Sequence, residues 1–228
     1  DVEYLMRNKK NTMTLLEGDG DFRSPECVEL LKEADIVVTN PPFSLFRDYV
    51  ALLMQYNKQF AIIGNQNAIT YREIFPLIKS NKIWLGYNNG HYWFMVPDSY
   101  EEKKTDFKID ESGQKWRRMG NICWFTNLDI EKRHENMTLF RTYSPDNYPK
   151  YDNCDAIEVS KTADIPCDYD GYMGVPITFM QYYNPEQFEI AGLDDHRVEW
   201  VGHGPRLNGK VKYRRVIIRR KQVSTNEN

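Results

Sequence analysis

Four consecutive residues of this chain, Asn-Pro-Pro-Phe at positions 40–43, combine groups that can activate a planar amino group for attack on an electrophile. The side-chain oxygen of Asn40 and the backbone carbonyl of Pro41 can both accept hydrogen bonds from an NH2 group, which draws its nitrogen toward a tetrahedral, nucleophilic geometry. The rings of Pro41 and Pro42 stiffen the loop, and the ring of Phe43 offers a planar base a stacking surface worth roughly 1–3 kcal/mol. A plain proline turn is the alternative interpretation of these residues.

The motif lies between a predicted strand and a predicted helix. Residues 34–39 form an apolar run that predicts a buried parallel strand, and residues 44–56 carry apolar side chains at helical spacing. The alternation continues, with predicted strands at 59–64, 81–87, 120–125, 188–192 and 213–219 and predicted helices at 25–32 and 71–79. This pattern is typical of an α/β doubly wound sheet, in which ligands bind beyond the carboxyl ends of the strands, where the motif lies.

Five longer strings, one of which contains the motif, resemble the EcoRI-type adenine-specific DNA methyltransferases, which use S-adenosylmethionine (AdoMet). They lie at residues 18–24, 37–44, 63–70, 120–127 and 173–178, and the resemblance covers nearly the whole chain. It implies the AdoMet-methyltransferase variant of the doubly wound, Rossmann-like sheet, with irregular additions that recognise DNA. It also implies methyl transfer from AdoMet to the exocyclic amino group of adenine in a specific double-stranded DNA sequence, after the base leaves the helix stack.

The resemblance assigns roles to individual residues. It implies that Asp21 and Phe22 contact the adenosine half of AdoMet and that Asn40 also lies against the cofactor. A Gly/Asp turn with Phe22 in the core is the alternative. Residues 64–67 follow the next strand, so they either border the target-base pocket or cap the next helix. The residues that the resemblance makes catalytic are Asn40, Pro41, Pro42 and Phe43.

Seven cations fall within residues 210–221 of a chain whose formal net charge is −3. A nucleic-acid binder with this balance must concentrate its positive charge locally. The predicted phosphate contacts are Lys210, Lys212, Arg214 and Arg215. Because apolar residues interleave with these cations, a charged edge strand is the alternative. A smaller group, Lys115, Arg117 and Arg118, could reach a groove or lie in a solvated loop.

The length predicts one full core with an appended region. We expect residues 1–97 to form the catalytic core, 98–118 an exposed charged insertion, and 119–228 the rest of the core with DNA-recognition elements. Only 39 residues precede Asn40, and none predicts the strand–loop–helix unit that usually binds the cofactor. We therefore expect the fold to be N-terminally incomplete, with its first part missing upstream. The aromatic residues expected in the core are Trp84, Tyr87, Tyr92, Trp93 and Phe94.

Other classes of protein find little support in the sequence. No apolar run approaches the ~20 residues of a membrane span, and no secretory signal is visible, so we expect a cytoplasmic protein. The four cysteines form no C-x-x-C pair and no ligand cluster with the four histidines, so no metal is expected. Methylation of RNA or of protein glutamine, or a non-catalytic DNA-binding subunit, remain alternatives. A cognate restriction endonuclease is a possible partner that methyl transfer does not require.

Overall fold

The computed structural model of the chain describes residues 15–194 and 204–222. They form three α-helices: α1 (Pro25–Glu33), α2 (Phe46–Gln55) and α3 (Phe75–Lys79). They also form eleven strands, in chain order: β1 (Ile36–Thr39), β2 (Gln59–Asn65), β3 (Trp84–Met95), β4 (Phe107–Ile109), β5 (Lys115–Thr126), β6 (Ala156–Glu158), β7 (Tyr172–Pro176), β8 (Phe188–Asp194), β9 (Arg206–Leu207), β10 (Lys210–Val211) and β11 (Arg215–Arg220). The architecture is mixed α/β, and no helix in these ranges is long and apolar enough to cross a membrane.

The first sheet has the strand order β1-β2-β5-β3, with β4 paired to the outer part of β5. β1 and β2 are parallel, with Thr39 opposite Ile62, and the other pairs in this sheet are antiparallel. Because β1 and β2 run in the same direction, their carboxyl ends meet at one edge, which we call the carboxyl edge. The described part of this sheet thus contains one parallel pair, and the doubly wound order stays a prediction.

The strand before the motif is parallel, as predicted, but the prediction that it is buried is wrong. Ile36 and Val38 are 48% and 66% exposed. The reason is that Ile36 and Val38 point to the same face of the sheet, and no element in the described ranges covers them there. β2 is more deeply buried, and its core partners on α2 recur at helical spacing: Phe46, Val50 and Leu53.

The second sheet has the order β6-β7-β11-β8. β6 and β7 are parallel, while β11 pairs antiparallel with β7 on one side and with β8 on the other. β11 is therefore a central strand, and the interpretation of this segment as a charged edge strand is wrong. The predicted strands at 188–192 and 213–219 are confirmed as β8 and β11, with shifted ends. Buried side chains from both sheets form one continuous hydrophobic core.

β3 and β5 are each 12 residues long and continue past the carboxyl edge. Asn65, the last residue of β2, lies opposite Ile122, whereas β5 begins at Lys115. At about 3.3 Å per residue, this segment of β5 reaches roughly 20 Å beyond the end of β2. Residues 92–119, which comprise the outer parts of β3 and β5 together with β4, are called the arm below. Within 98–118, residues 107–109 form β4 and residues 115–118 belong to β5, which runs directly into the first sheet; that the whole range is a separate insertion stays a prediction.

Candidate active site

The Asn-Pro-Pro-Phe motif occupies the carboxyl edge, directly after β1. Asn40 is exposed, and its side-chain amide makes no hydrogen bond within the described ranges. Pro41 is buried and anchors the loop, while the carbonyl of Pro42 accepts a 2.9 Å hydrogen bond from the Leu45 N–H, which starts the turn into α2. The Phe43 side chain is 39% exposed. The loop therefore presents a free amide and an accessible aromatic ring at the same edge of the sheet.

A close contact between α2 and β2 holds this loop in place. The rings of Phe46 and Phe125 pack with their centroids 5.0 Å apart. A Cβ atom built on Gly64 would lie 2.5 Å from the Phe46 ring and 2.9 Å from the Phe125 ring. Because Phe46 is the first residue of α2, any larger residue at position 64 would push the helix and the preceding loop away from the sheet.

The segment after β2 caps a short helix, which is one of the two roles expected for residues 64–67. The Asn65 side chain accepts a 2.9 Å hydrogen bond from the Asn67 N–H, at the start of the 3-10 helix Gln66–Thr70. Gln66 is only 7% exposed, and its Nε2 atom has no hydrogen-bond partner within the described ranges. An unpaired buried amide at the carboxyl edge is a candidate ligand contact, and the other role expected for residues 64–67, at the border of the target-base pocket, stays a prediction.

Asp21 lies in a tight polar turn rather than in a regular strand. Its carboxylate accepts hydrogen bonds from the Arg23 backbone N–H at 2.8 Å and from the Arg23 guanidinium at 2.7 and 3.0 Å. The side-chain hydrogen bonds from Arg23 lower the pKa of Asp21 to about 2. The group is therefore ionised at neutral pH, and its remaining lone pairs can accept hydrogen bonds from a ligand. The sequence analysis did not predict that Arg23 pairs with Asp21, although a cation two residues after an acidic residue in a turn could have suggested it.

Phe22 connects this turn to the helix that follows the motif. Its ring is half-buried and meets Tyr49 of α2 edge-on, with the centroids 4.9 Å apart and an interplanar angle of 83°. Since α2 begins directly after the motif, the structure brings the predicted cofactor residues and the predicted catalytic loop to the same helix. Tyr49 was not singled out from the sequence, where it is one of several apolar residues of α2. The cofactor role of Asp21 and Phe22 stays a prediction.

The four predicted phosphate contacts are in different environments. Arg215 is buried in an ion pair, with its Nη2 atom 2.6 Å from Oε1 of Glu158 and the two side chains 12% and 3% exposed. Arg214 donates from its guanidinium to the hydroxyl of Thr70, at the end of the short helix beside the carboxyl edge. Because the buried Glu158 carboxylate holds the Arg215 guanidinium, Arg215 has little capacity left to bind phosphate, and its role is structural.

Lys210 and Lys212 are more accessible than Arg215. Lys210 is exposed and belongs to the short hairpin of β9 and β10. Lys212 is half-buried and lines an open cavity of about 530 Å³, together with Arg141 and Asp164. Both ammonium groups can therefore reach a polyanion at the surface. Whether they contact phosphate stays a prediction.

The aromatic residues expected in the core separate into two groups. Trp84 is anchored, since its Nε1 donates to the Leu128 carbonyl at 3.0 Å and the Arg133 guanidinium lies 3.9 Å from its ring centroid. The expectation is wrong for Tyr87, Trp93 and Phe94, which are 63%, 39% and 42% exposed. The last two lie in the arm, where the first sheet no longer covers them.

The described ranges contain no group of three or more His, Cys, Asp and Glu side chains that could hold a metal ion. Burial raises the pKa of the Cys123 thiol to about 12, so this cysteine is not a nucleophile at neutral pH.

Comparison with known proteins gives consistent matches over the whole chain. A sequence model of the family described as "Adenine-specific methyltransferase EcoRI" matches residues 1–221. The chain is 50% identical over 214 residues to the Type II methyltransferase M.EcoRI of Escherichia coli, covering 90% of this chain and 64% of that protein. It is 42% identical over 241 residues to the Type II methyltransferase M.MgeORF184P of Mycoplasma genitalium, covering 97% of this chain and 75% of that protein.

A third relative, the Type II methyltransferase M.MpnI of Mycoplasma pneumoniae, is 41% identical over 229 residues, which cover 91% of this chain and 70% of that protein. The chain therefore spans less than two thirds of M.EcoRI and between two thirds and three quarters of the two Mycoplasma proteins. No solved structure gives a significant match.

Proposed function

Because the chain belongs to the EcoRI-type family of adenine-specific methyltransferases, we propose that it transfers a methyl group from AdoMet to the exocyclic amino nitrogen of adenine in a specific duplex DNA sequence. Family membership was predicted from the motif strings and is confirmed. The observation that carries the proposal is the position of Asn40, which is exposed at the carboxyl edge with a free side-chain amide beside the half-exposed Phe43 ring. The proposed reaction requires the adenine amino group to be held at this edge, beside Asn40 and Phe43.

The mechanism follows from what these groups can do to a planar amine. The target adenine must leave the helix stack, and the ring of Phe43 provides a surface on which it can stack. Asn40 Oδ1 and the Pro41 carbonyl then accept hydrogen bonds from the two N–H groups of the adenine amino group. This makes the lone pair of the amino nitrogen available for in-line attack on the methyl group. Positioning supplies most of the rate, and the proton can be lost after transfer, so no general base of low pKa is required.

AdoMet is proposed as the methyl donor, since it supplies an electrophilic methyl group on a sulfonium. The residues of the Asp21 turn fit its adenosine half. The ionised Asp21 carboxylate can accept from an amino or hydroxyl group, and the half-buried Phe22 ring lies beside α2, next to the catalytic loop. The contact between Phe22 and Tyr49 places this turn against α2, the helix that follows the loop with Asn40, which is where a methyl donor is needed.

We further propose that the first sheet continues beyond β1 into the doubly wound arrangement. The support is the free outer edge of β1, where Ile36 and Val38 expose apolar surface that a neighbouring strand and helix would cover. Alternate N–H groups of β1 point away from β2. Amide hydrogen exchange on the complete natural protein tests this, because these outward N–H groups should be protected if a strand pairs there. Exchange at the rate of free amides would contradict it.

For the DNA partner we propose phosphate contacts from Lys210, Lys212 and Arg214, in a cytoplasmic enzyme that needs no restriction endonuclease to act. Arg215 is not included, because its charge is paired with Glu158. Lys210 is exposed, and Arg214 lies beside the helix that follows β2. Cations at these positions would hold the duplex while its target base enters the carboxyl edge.

The proposed function is tested by offering the purified chain tritiated AdoMet with duplex DNA, RNA and protein in parallel. Digestion of the DNA and mass spectrometry should find the label in N6-methyladenine, within one sequence context. Label in RNA or in protein glutamine would overturn the DNA assignment. If calorimetry detects DNA binding but no AdoMet binding in the complete natural protein, the chain is a non-catalytic DNA-binding subunit instead.

A further inference from the structure

The arm projects from the same edge that carries Asn40. β3 and β5 remain paired beyond the end of β2, from Tyr92 opposite Met119 to Met95 opposite Trp116. β4 joins them on the other side of β5, with Lys108 opposite Trp116. The result is a three-stranded antiparallel ribbon that extends roughly 20 Å past the carboxyl ends of β1 and β2. Any duplex that delivers a base to the carboxyl edge must pass close to it.

One face of this ribbon combines indole rings with positive charge. Residues opposite each other on paired strands share a face, and the faces alternate along each strand. The Lys108 Nζ atom lies 4.8 Å from the ring centroid of Trp93 and 5.8 Å from that of Trp116, which places the three side chains together. We call this the indole face, and its members are Trp93, Met95, Lys108, Trp116 and Arg118.

The opposite face is occupied by the loop that joins β3 to β4. Lys115 Nζ donates to the carbonyls of Asp98 and Tyr100 at 2.9 and 3.2 Å. Arg117 donates to the Asp106 carbonyl at 3.0 Å. All three cations that sequence analysis considered for groove contact are thus paired inside the arm, since Arg118 Nη1 also lies 3.5 Å from Oδ1 of Asp106. They hold the loop against the ribbon and leave the indole face as the more open side.

The exposure and charge of the indole face indicate an unfilled contact. Trp93 and Met95 are 39% and 67% exposed. Lys108 is exposed and has no ion-pair partner in the part of the chain that the structure describes. Apolar surface next to an unpaired ammonium suits a partner that is itself both apolar and anionic. Duplex DNA is such a partner, since its grooves carry thymine methyl groups and sugar carbons between rows of phosphates.

We propose that the indole face of the arm is a DNA-binding surface that lies along the duplex beside the flipped adenine. The proposal rests on the proposed function, because that function brings DNA to the carboxyl edge. Because the ribbon has three strands and the major groove admits two, we expect the indole face to lie along the sugar–phosphate backbone rather than inside the groove. The indoles pack against sugars, Lys108 contacts a phosphate, and Arg118, whose pair with Asp106 is exposed to solvent, can turn to a second phosphate. The arm thereby extends the contact with DNA beyond the target base.

The experiment compares two neighbouring aromatic residues in the full chain. Trp93 and Phe94 are almost equally exposed but alternate between the two faces, so Phe94→Ala is a matched control for Trp93→Ala. Fluorescence anisotropy is measured on a duplex containing the sequence that the wild-type protein methylates. Trp93→Ala should weaken binding about tenfold, since loss of an aromatic contact to nucleic acid costs ~1–3 kcal/mol, whereas Phe94→Ala should change it less than twofold.

A charge variant tests the same surface independently of packing. Lys108→Gln should lower the slope of log affinity against log salt concentration by nearly one unit, while Lys104→Gln, an exposed lysine of the covering loop, should leave it unchanged. Circular dichroism checks that each variant is folded. If the wild type methylates DNA but Trp93→Ala and Lys108→Gln bind like their controls, the arm proposal is overturned. If Trp93→Ala and Lys108→Gln are unfolded, the indole face packs against other parts of the protein rather than against DNA, and the proposal also fails. A wild type that methylates no DNA would instead refute the proposed function.

Discussion

Arg215 should stabilise the fold rather than bind DNA. Its guanidinium makes two hydrogen bonds to Glu158, from Nη2 at 2.6 Å and from Nε at 3.1 Å. Glu158 is 3% exposed and accepts two further hydrogen bonds, from the Tyr151 hydroxyl and, at 3.2 Å, from the Ser160 hydroxyl. This carboxylate is therefore buried between two sheet strands and depends on Arg215 for its counter-charge.

Replacing Arg215 by Met removes that counter-charge and leaves Glu158 buried. Removing one partner of a buried ion pair typically costs about 3–5 kcal/mol. Because the hydroxyls of Tyr151 and Ser160 remain, we expect a value near the lower end, about 3 kcal/mol. The double variant Arg215→Met/Glu158→Met removes both charges and should recover most of this loss.

The assay is urea unfolding monitored by tryptophan fluorescence, with Arg219→Met as the matched control. Arg219 lies on the same strand and pairs with Glu189 at 2.8 Å, but the two side chains are 43% and 44% exposed, so solvent screens this pair. Arg219→Met should therefore shift the unfolding midpoint far less than Arg215→Met. A loss for Arg215→Met no larger than that of Arg219→Met would refute the reasoning. So would a stable Arg215→Met protein whose DNA affinity loses salt dependence.

The same ion pair gives stability a pH dependence of known sign. Burial alone raises the pKa of Glu158, but the hydrogen bonds from Arg215 and Tyr151 outweigh this and hold the pKa below its ordinary value. The contribution to stability is therefore complete above the unfolded-state pKa of about 4.3 and is lost as the pH falls through the folded-state pKa. Between pH 5 and pH 3 the wild type should lose more stability than the double variant.

Four further substitutions probe the carboxyl edge and its DNA contacts. Phe43→Ala should weaken binding of the target duplex by roughly 1–3 kcal/mol, and a fluorescent adenine analogue at the target should brighten less than with the wild type; equal brightening would argue against stacking. Lys210→Gln and Lys212→Gln should each lower the salt slope of DNA affinity by nearly one unit on specific and random DNA alike, and an unchanged slope would exclude phosphate contact. Gly64→Ala should cost about 1–3 kcal/mol in thermal unfolding and also slow methyl transfer, because its Cβ meets the Phe46 ring at 2.5 Å; a neutral effect would show that α2 is not held there.

The place of the motif in the fold is predictable from sequence, while its chemistry stays a prediction. Asn40 follows an apolar run and precedes helical periodicity, and these two local patterns are enough to place it at a strand end. The helix start at Ser24 is equally local, since its side chain accepts from the Cys27 N–H at 3.2 Å and Pro25 opens the helix. Local patterns of this kind depend on residues a few positions apart, which the sequence displays.

Features that depend on distant partners could not be predicted. β1 has the composition of a buried strand, but its burial depends on elements that pack on its faces, and Val38 is exposed because none in the described ranges covers it. Arg215 looks like its neighbours in a basic segment, and only the pairing of β11 with β7 brings it to Glu158. Residues 92–95 extend β3 into the arm because they pair with residues 116–119, which lie far along the chain. In each case tertiary pairing, not local propensity, decides the environment.

Asn40 holds the amino group in the proposed reaction, and one pair of variants isolates this role. Asn40→Ala removes the side-chain acceptor, while Asn67→Ala removes an exposed amide beside the same edge and serves as the control. Single-turnover methylation of adenine should fall by roughly 10²-fold or more in Asn40→Ala, as for loss of one polar group aimed at a reacting centre, with DNA affinity within a few fold of wild type. Asn67→Ala should react normally. Near-normal turnover by Asn40→Ala would contradict the assignment of the Asn-Pro-Pro-Phe loop as the site of methyl transfer.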